Sequence, residues 1–206
     1  MRIKINPNYA RSEVLRFDYF KKDILKLIKT NGEYKLLDIG CSQLDFSNLP
    51  KTMDSFGIDF KDSKYYDKKH FKKCNLDKEK IPFKNEFFDF VVAGEVIEHV
   101  KRPFELIEEI SRVLKDGGIL YLSTPNPHYY LEIIKDVFKI NEPDDKEHLN
   151  LYSRNHLINY CKSSSLRLVD FKRYKFWIPY LRLMILSLHT PPLFNYQNIY
   201  KFRKEK

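Results

Sequence analysis

"KLLDIGCSQLDF", residues 35–46, is the stretch on which the reading of the chain turns. Leu36, Leu37 and Ile39 run up to Gly40 with one acid, Asp38, set among them, and small or polar residues follow. An apolar run that stops at a glycine reads as a buried strand entering a tight turn. "QLDFSNL" (43–49) would then open a helix. Two ligand classes use such a turn. A dinucleotide site wants G-x-G-x-x-G, so that backbone can approach a pyrophosphate at a helix N-terminus. From Gly40 the chain reads "GCSQLD", which keeps the first glycine alone and puts Asp45 in the last place. A carboxylate at Asp38 repels a pyrophosphate in a partly dry crevice and favours a ligand carrying a cationic amine or sulfonium.

Outward from this stretch, strand and helix signals alternate. Phe17, Phe20, Ile24, Leu27 and Ile28 recur at helical spacing, which predicts a helix over 12–29 stopped by Asn31-Gly32. Strands are expected at 34–39, at "SFGIDF" (55–60), at "HFKKCNL" (70–76) and at "FFDFVVAG" (87–94). Pro103 opens a helix at 103–115 whose stripe is Leu106, Ile107, Ile110, Val113 and Leu114. A strand at 118–125, helices at 128–138 and 153–162, and strands at 166–174 and 198–204 complete the series. Such alternation predicts right-handed crossovers, a mainly parallel sheet with helices on both faces, and a ligand crevice beyond the C-terminal strand ends. Asp38, Asp59, Asn75 and Gly94-Glu95 all fall at ends of that kind. Asp59, at the tip of the second strand, suits both hydroxyls of a ribose and would repel a 2′-phosphate.

The totals set outer limits. A chain of 206 residues with 43% hydrophobic residues is one domain of ordinary size with a real core. The formal charge of +9 favours acidic partners such as RNA, anionic lipid or phosphorylated metabolites, or simply solvates runs such as "KKDILK" (21–26) and "KKHFKK" (68–73). Cys41, Cys74 and Cys161 are widely spaced with no C-x-x-C, which predicts reduced thiols of an intracellular, cytoplasmic protein and no metal site. "MRIKINPNYARSEV" has no apolar core of a signal peptide. "WIPYLRLMILSL" (177–188) is too short to span a bilayer and carries Pro179 and Arg182.

Several stretches in order resemble one family, the class I S-adenosylmethionine-dependent methyltransferases, and within it the small-molecule branch of ubiquinone-biosynthesis type. "LLDIGCS" (36–42) resembles the first motif and "GIDF" (57–60) the acidic end of strand two. "CNLDKEKIPFKNEFFDFVVAGEVIEHV" (74–100), "EISRVLKDGGILYLSTPNP" (109–127) and "HLNLYSRNHLINYCKSSSLRLVDF" (148–171) resemble the units that follow, so the likeness spans roughly 34–174. It implies a single three-layer α/β/α domain with a Rossmann-like, doubly wound, mostly parallel seven-stranded sheet whose last strand is antiparallel. Residues 1–30 would be an N-terminal helical segment on the substrate side and 175–197 an apolar insertion or lid. Three departures stand out: Ser42 stands where the family usually has glycine and Leu44 where it often has another, and Asn75 stands where aspartate is common.

The resemblance assigns roles to residues. Asp38, Gly40 and Ser42 would hold the methionine end of S-adenosylmethionine. Asn75, by side chain, and Leu76, by backbone, would read the adenine edge. Phe60 would pack on the adenine face or serve as a plain core residue. Glu95 would lie near the cofactor or cap a helix. His99 is a candidate general base, with a structural histidine as the alternative. His148 is a second candidate base on a loop; its neighbours Asp144, Asp145 and Glu147 mimic a metal cluster but read as a solvated acidic tip.

The reaction expected is methyl transfer to oxygen of a small molecule or lipid precursor. RNA or protein methylation and a non-catalytic S-adenosylmethionine-binding module are the alternatives, with a nicotinamide oxidoreductase last. No N-P-P-Y stretch follows strand four, which disfavours amide or adenine N-methylation. The 177–190 segment is a candidate lid, homodimer contact or peripheral membrane contact, with Lys and Arg nearby.

Overall fold

The computed structural model describes residues 7–41, 49–138, 149–178, 183–185, 193 and 195–206. In chain order the elements are α1 (Pro7–Leu27), β1 (Tyr34–Ile39), β2 (Met53–Asp59), β3 (Phe71–Lys73), β4 (Phe88–Gly94), a 3-10 turn (Ile97–His99), α2 (Pro103–Val113), β5 (Leu114–Pro125), α3 (Tyr130–Val137), α4 (Arg154–Ser163), β6 (Leu166–Ile178), β7 (Leu183–Ile185) and β8 (Asn195–Lys204). One sheet takes all the strands in the order β3-β2-β1-β4-β5-β8-β6-β7. The pairs from β3 through β5 are parallel, and β8 runs antiparallel to both β5 and β6. The seven strands expected from the sequence are all present. The short β7 is added at the outer edge of β6.

Alternation along each strand builds two cores. Leu37, Ile39, Val91, Ala93, Leu120 and Leu122 face one side, where α2 and α4 pack. Leu36, Phe90, Val92, Ile119 and Tyr121 face the other, against Phe17, Phe20 and Ile24 of α1. β1 and β4 therefore carry buried residues on both faces, as strands covered by helices on each side must. On α2, Leu106, Ile107, Ile110 and Val113 all turn inward, each worth about 1.5–3 kcal/mol as an upper figure.

Several boundaries differ from the sequence reading, for local reasons. The first helix begins at Pro7 rather than at 12 and ends at Leu27. β3 shrinks to Phe71–Lys73. α2 ends at Val113, and Leu114 pairs at once with Phe88; the register resumes only at Phe90 with Ile119. Asp116, Gly117 and Gly118 are absorbed in that irregularity, and Gly117 has φ 77°. "KDGG" thus ends no helix but bulges a strand. The helix expected to open at 43 lies outside the described residues, as does most of the 175–197 insertion; of the latter, β6 runs on to Ile178 and β7 forms over Leu183–Ile185.

Candidate active site

Strand order reverses between β1 and β4, which places the opening of an α/β sheet just beyond their carboxyl ends. A cavity of about 400 Å³ lies there, lined by Gly40, Asp59, Phe60, Lys61, Cys74, Asn75, Leu76, Asp77, Gly94, Glu95, Val96, His99 and Val100. Gly40, Asp59, Phe60, Asn75, Leu76, Glu95 and His99, singled out from sequence, therefore meet at one place.

The turn after β1 is tight. Gly40 has φ +77°, and a Cβ built on it would stand 2.7 Å from Val96 Cγ2. Only glycine fits both the backbone and the space. Its N–H, and that of Cys41, donate to the Ile58 carbonyl at 2.9 and 3.4 Å, which ties the turn to β2.

At the tip of β2, Asp59 is buried at 7% exposure. Its Oδ1 accepts the Lys61 N–H at 2.9 Å. Phe60 is 60% exposed, which removes it from the core and sets it on the rim with the Lys61 ammonium 4.9 Å from its ring centroid. Past β3, the Asn75 Oδ1 accepts the Asp77 N–H at 3.1 Å, so part of its acceptor capacity holds its own turn. Asp77 in turn accepts the Lys101 N–H at 2.7 Å, and its carbonyl accepts from Arg102 at 2.6 Å, which clasps this wall to the start of α2.

Past β4 the chain turns sharply. Glu95 adopts φ 56° and donates its N–H to the Ser123 carbonyl at 3.1 Å. Its carboxylate lies 3.5 Å from Arg16 Nη1 of α1. Arg16 is itself 1% exposed, with its guanidinium packed over Gly94. Glu98 is fully buried, and its carboxyl is pushed well above the usual range by desolvation and by the Glu95 charge. His99 lines the cavity, and its N–H donates to the Val96 carbonyl at 3.0 Å.

Asp38 sits elsewhere than expected. It is 1% exposed, does not line the cavity, and accepts the Tyr66 hydroxyl at 3.2 Å on the α1 face of the sheet. The cause is strand parity: Asp38 shares a face with Leu36, and the loop after β2 folds back to cover it. Ser42 and His148 lie outside the described residues. Lys61 and Glu98 received no site role from the sequence, and Arg16 was placed only within the N-terminal stretch expected to choose the substrate. Arg16 was signalled by its place in the apolar stripe it shares with Phe17, Phe20 and Ile24, because a charge buried on a helix face needs a partner. The cysteines are free and buried; burial and the Asp38 charge push the Cys41 thiol up to about 12, and burial and Glu79 push that of Cys74 up to about 11. No cluster of three or more metal-ligating side chains occurs among the described residues, and no helix among them is long and apolar enough to cross a membrane.

A glycine turn, an acid at the tip of the neighbouring strand and a cavity at the switch point are the features of an α/β protein with a ligand crevice at the carboxyl ends of its strands. The family model described as "Methyltransferase domain" matches residues 8–170. The chain belongs to that family, and is a class I S-adenosylmethionine-dependent methyltransferase. It is 31% identical over 105 residues to a ubiquinone biosynthesis O-methyltransferase of Actinobacillus pleuropneumoniae serotype 7, covering 45% of each chain. To the enzyme of the same name from serotype 5b it is 25% identical over 202 residues, covering 80% of each. The chain thus spans from less than half to four-fifths of the length of these relatives. Among solved structures, an S-adenosylmethionine-dependent methyltransferase from Archaeoglobus fulgidus superposes with a TM-score of 0.62 at 19% identity, over 91% of this chain and 94% of that one.

Proposed function

We propose that the chain transfers the methyl group of S-adenosylmethionine to an oxygen of a small molecule or lipid precursor, and that the cavity at the β1/β4 switch point holds the donor. The observation that carries this is one of charge. In a protein of net charge +9, the cavity wall presents Asp59, Asp77 and Glu95 against Lys61. A basic protein with an acidic cleft selects a cationic ligand over a phosphorylated one.

The lining fits the donor in its parts. Asp59 suits the ribose diol, and the missing side chain at Gly40 lets backbone approach the methionine end. Leu76, Val96 and Phe60 offer apolar surface to the adenine, with Asn75 at its edge. Glu95 holds negative potential near a sulfonium while Arg16 fixes its orientation. Asp38, one layer behind, adds to the same field and holds the Tyr66 loop rather than touching the ligand. Ser42, outside the described residues, is the small side chain we assign to the methionine end.

S-adenosylmethionine, when bound, supplies an activated methyl with its own leaving group. What remains for the chain is to align an acceptor oxygen with that methyl, exclude water and accept a proton. An imidazole nitrogen of His99, at the cavity wall, is the proton acceptor we assign, with His148 as a second. Oxygen is favoured as acceptor atom by the two relatives named as O-methyltransferases. The 177–190 segment is the candidate lid, dimer contact or membrane contact for a lipid-like acceptor.

Calorimetric titration with S-adenosylmethionine tests the assignment. Asp59→Ala should weaken binding by at least about tenfold, the worth of a charge-assisted hydrogen bond, with the fold retained. Unchanged affinity would remove Asp59 from the site. Tritiated methyl donor added with fractionated lysate then identifies the acceptor class. Label in small molecules or lipid supports the reading; label confined to RNA or protein overturns it.

A further inference from the structure

We infer that the carboxyl end of the sheet carries, on its α4 face, a subsite for an anionic group of the methyl acceptor, built on Arg154 and Arg173. The inference deepens the methyl-transfer reading and rests on it for the acceptor's role. Thr124, Asn198 and Arg173 form one cross-strand row over β5, β8 and β6. The next row inward is Leu122, Tyr200 and Phe171, and its first two members lie in the α2/α4 core. Side chains of both rows therefore share the α4 face, at the level where the parallel strands end.

The two arginines converge on one ring. Arg154, first residue of α4, has its guanidinium carbon 4.4 Å from the centroid of Phe171, and Arg173 has its own at 5.6 Å. The Tyr200 ring lies 5.0 Å from that of Phe171. Among the described residues neither arginine has a carboxylate within ion-pair distance. Arg16, Arg112 and Arg167 by contrast each face a glutamate. Two guanidiniums that both approach one aromatic ring, with no carboxylate beside either, concentrate positive charge there, and an anion reaching both would be favoured.

A second observation points the same way. Close by, Thr124 and Tyr200 have no exposed surface, with the Thr124 hydroxyl against Glu98 and that of Tyr200 against Asn198, and the buried Tyr152 hydroxyl has no hydrogen-bond partner. A buried hydroxyl without a partner is uncommon in a finished core and can donate to an incoming oxygen. Glu98 lies against Thr124, with burial and the Glu95 charge raising its carboxyl above the usual range. Through Glu98 the cluster abuts the 97–99 turn that carries His99 on the cavity wall. The N-terminus of α4 adds its own positive end. A phosphate or carboxylate suits this set, because guanidinium forks match both in bidentate geometry.

The test is a calorimetric titration of the full chain, with and without S-adenosylhomocysteine, using phenyl phosphate and benzoate as probes and phenol as the uncharged control. A saturable single site for at least one anion, little or none for phenol, and a loss of about tenfold or more in Arg154→Gln and in Arg173→Gln are expected. Arg173→Lys should recover part of the loss, and Arg167→Gln, at a residue paired with Glu205, should change nothing. Failure of both anions to bind, or binding indifferent to Arg154 and Arg173, overturns the subsite. So does tight retention of a short single-stranded RNA that both Gln variants abolish, since that assigns the face to nucleic acid. Titration of the same proteins with S-adenosylmethionine keeps the two ideas apart: its failure in the unsubstituted protein sinks the donor site, whereas the arginine dependence of anion binding is read without it.

Discussion

At the scale of single residues, Gly40 and Glu98 make the sharpest predictions. Gly40→Ala places a Cβ in the left-handed region, at about 1–2 kcal/mol, and drives it to within 2.7 Å of Val96. The variant should melt lower and bind S-adenosylmethionine at least about tenfold more weakly; a donor affinity equal to that of the parent would show that backbone approach at this turn is unimportant. Glu98 is a matter of pH. Its folded-state pKa is raised above the ordinary 4.5 by burial and Glu95. The folded protein therefore holds a proton that the unfolded chain releases, and this contribution is complete below about pH 4.5 and fades as pH climbs towards the folded value. The slope can reach about 1.4 kcal/mol per pH unit. Glu98→Gln should flatten that decline, so calorimetric melting at mildly acidic and mildly alkaline pH should differ less in the variant than in the parent. Asp59 was legible in the sequence, because an acid at a strand tip with a glycine turn beside it has few other purposes. Asp38 was legible as a strand-end acid but not by position, since its partner Tyr66 lies 28 residues further on and no local pattern announces a loop that returns.

Among elements, the α2 helix shows how one side chain shapes a neighbouring loop. Arg112 donates to Glu109 at 2.9 and 2.7 Å, to the carbonyls of Ile81 and Phe83 at 2.8 Å each, and to Asn85 at 2.9 Å. The guanidinium fork thus fastens the whole turn before β4. Arg112→Lys keeps the charge and loses the fork. It should lower stability by about 1.5–3 kcal/mol, the range for hydrogen bonds to a charged group, read as a lower urea midpoint with unchanged slope. Helices with a clear stripe and strands with continuous apolar runs were readable in advance. α2 and β4 came out within two residues of expectation. β5 began earlier than expected because "KDGG" is a stop signal for a helix and a bulge for a strand, and only the pairing with β4 decides between them. β7 carries no signal that separates it from the apolar run around it.

For the molecule as a whole, protection should follow sheet position. β1, β4 and β5 each have a partner on both sides and helices on both faces, while β3 and β7 are three-residue edges. Hydrogen exchange followed by mass spectrometry should find the slowest amides in the central strands and the fastest in the edges. Adding S-adenosylmethionine should slow exchange at 59–61 and 75–77 and leave β7 unaffected; the reverse pattern would move the donor site. The basic charge of the chain is spread over solvated runs and was readable from composition alone; an acidic crevice was readable from Asp59 and Glu95 at strand ends, whereas the place of Asp77 in its wall and of Asp38 outside it was not, since these depend on which side chains the fold gathers. A last consequence concerns β8. Because it runs against its neighbours, its first residues lie at the carboxyl end of the sheet, with Gln197 and Asn198 beside Pro125 and Thr124 at the end of β5. In the reading proposed above, the donor side of the site comes from residues 40–100, and the segment between β6 and β8 is the candidate acceptor side together with Arg154 and Arg173. Grafting a foreign segment between β6 and β8 should retarget the enzyme while its appetite for the methyl donor stays as it was.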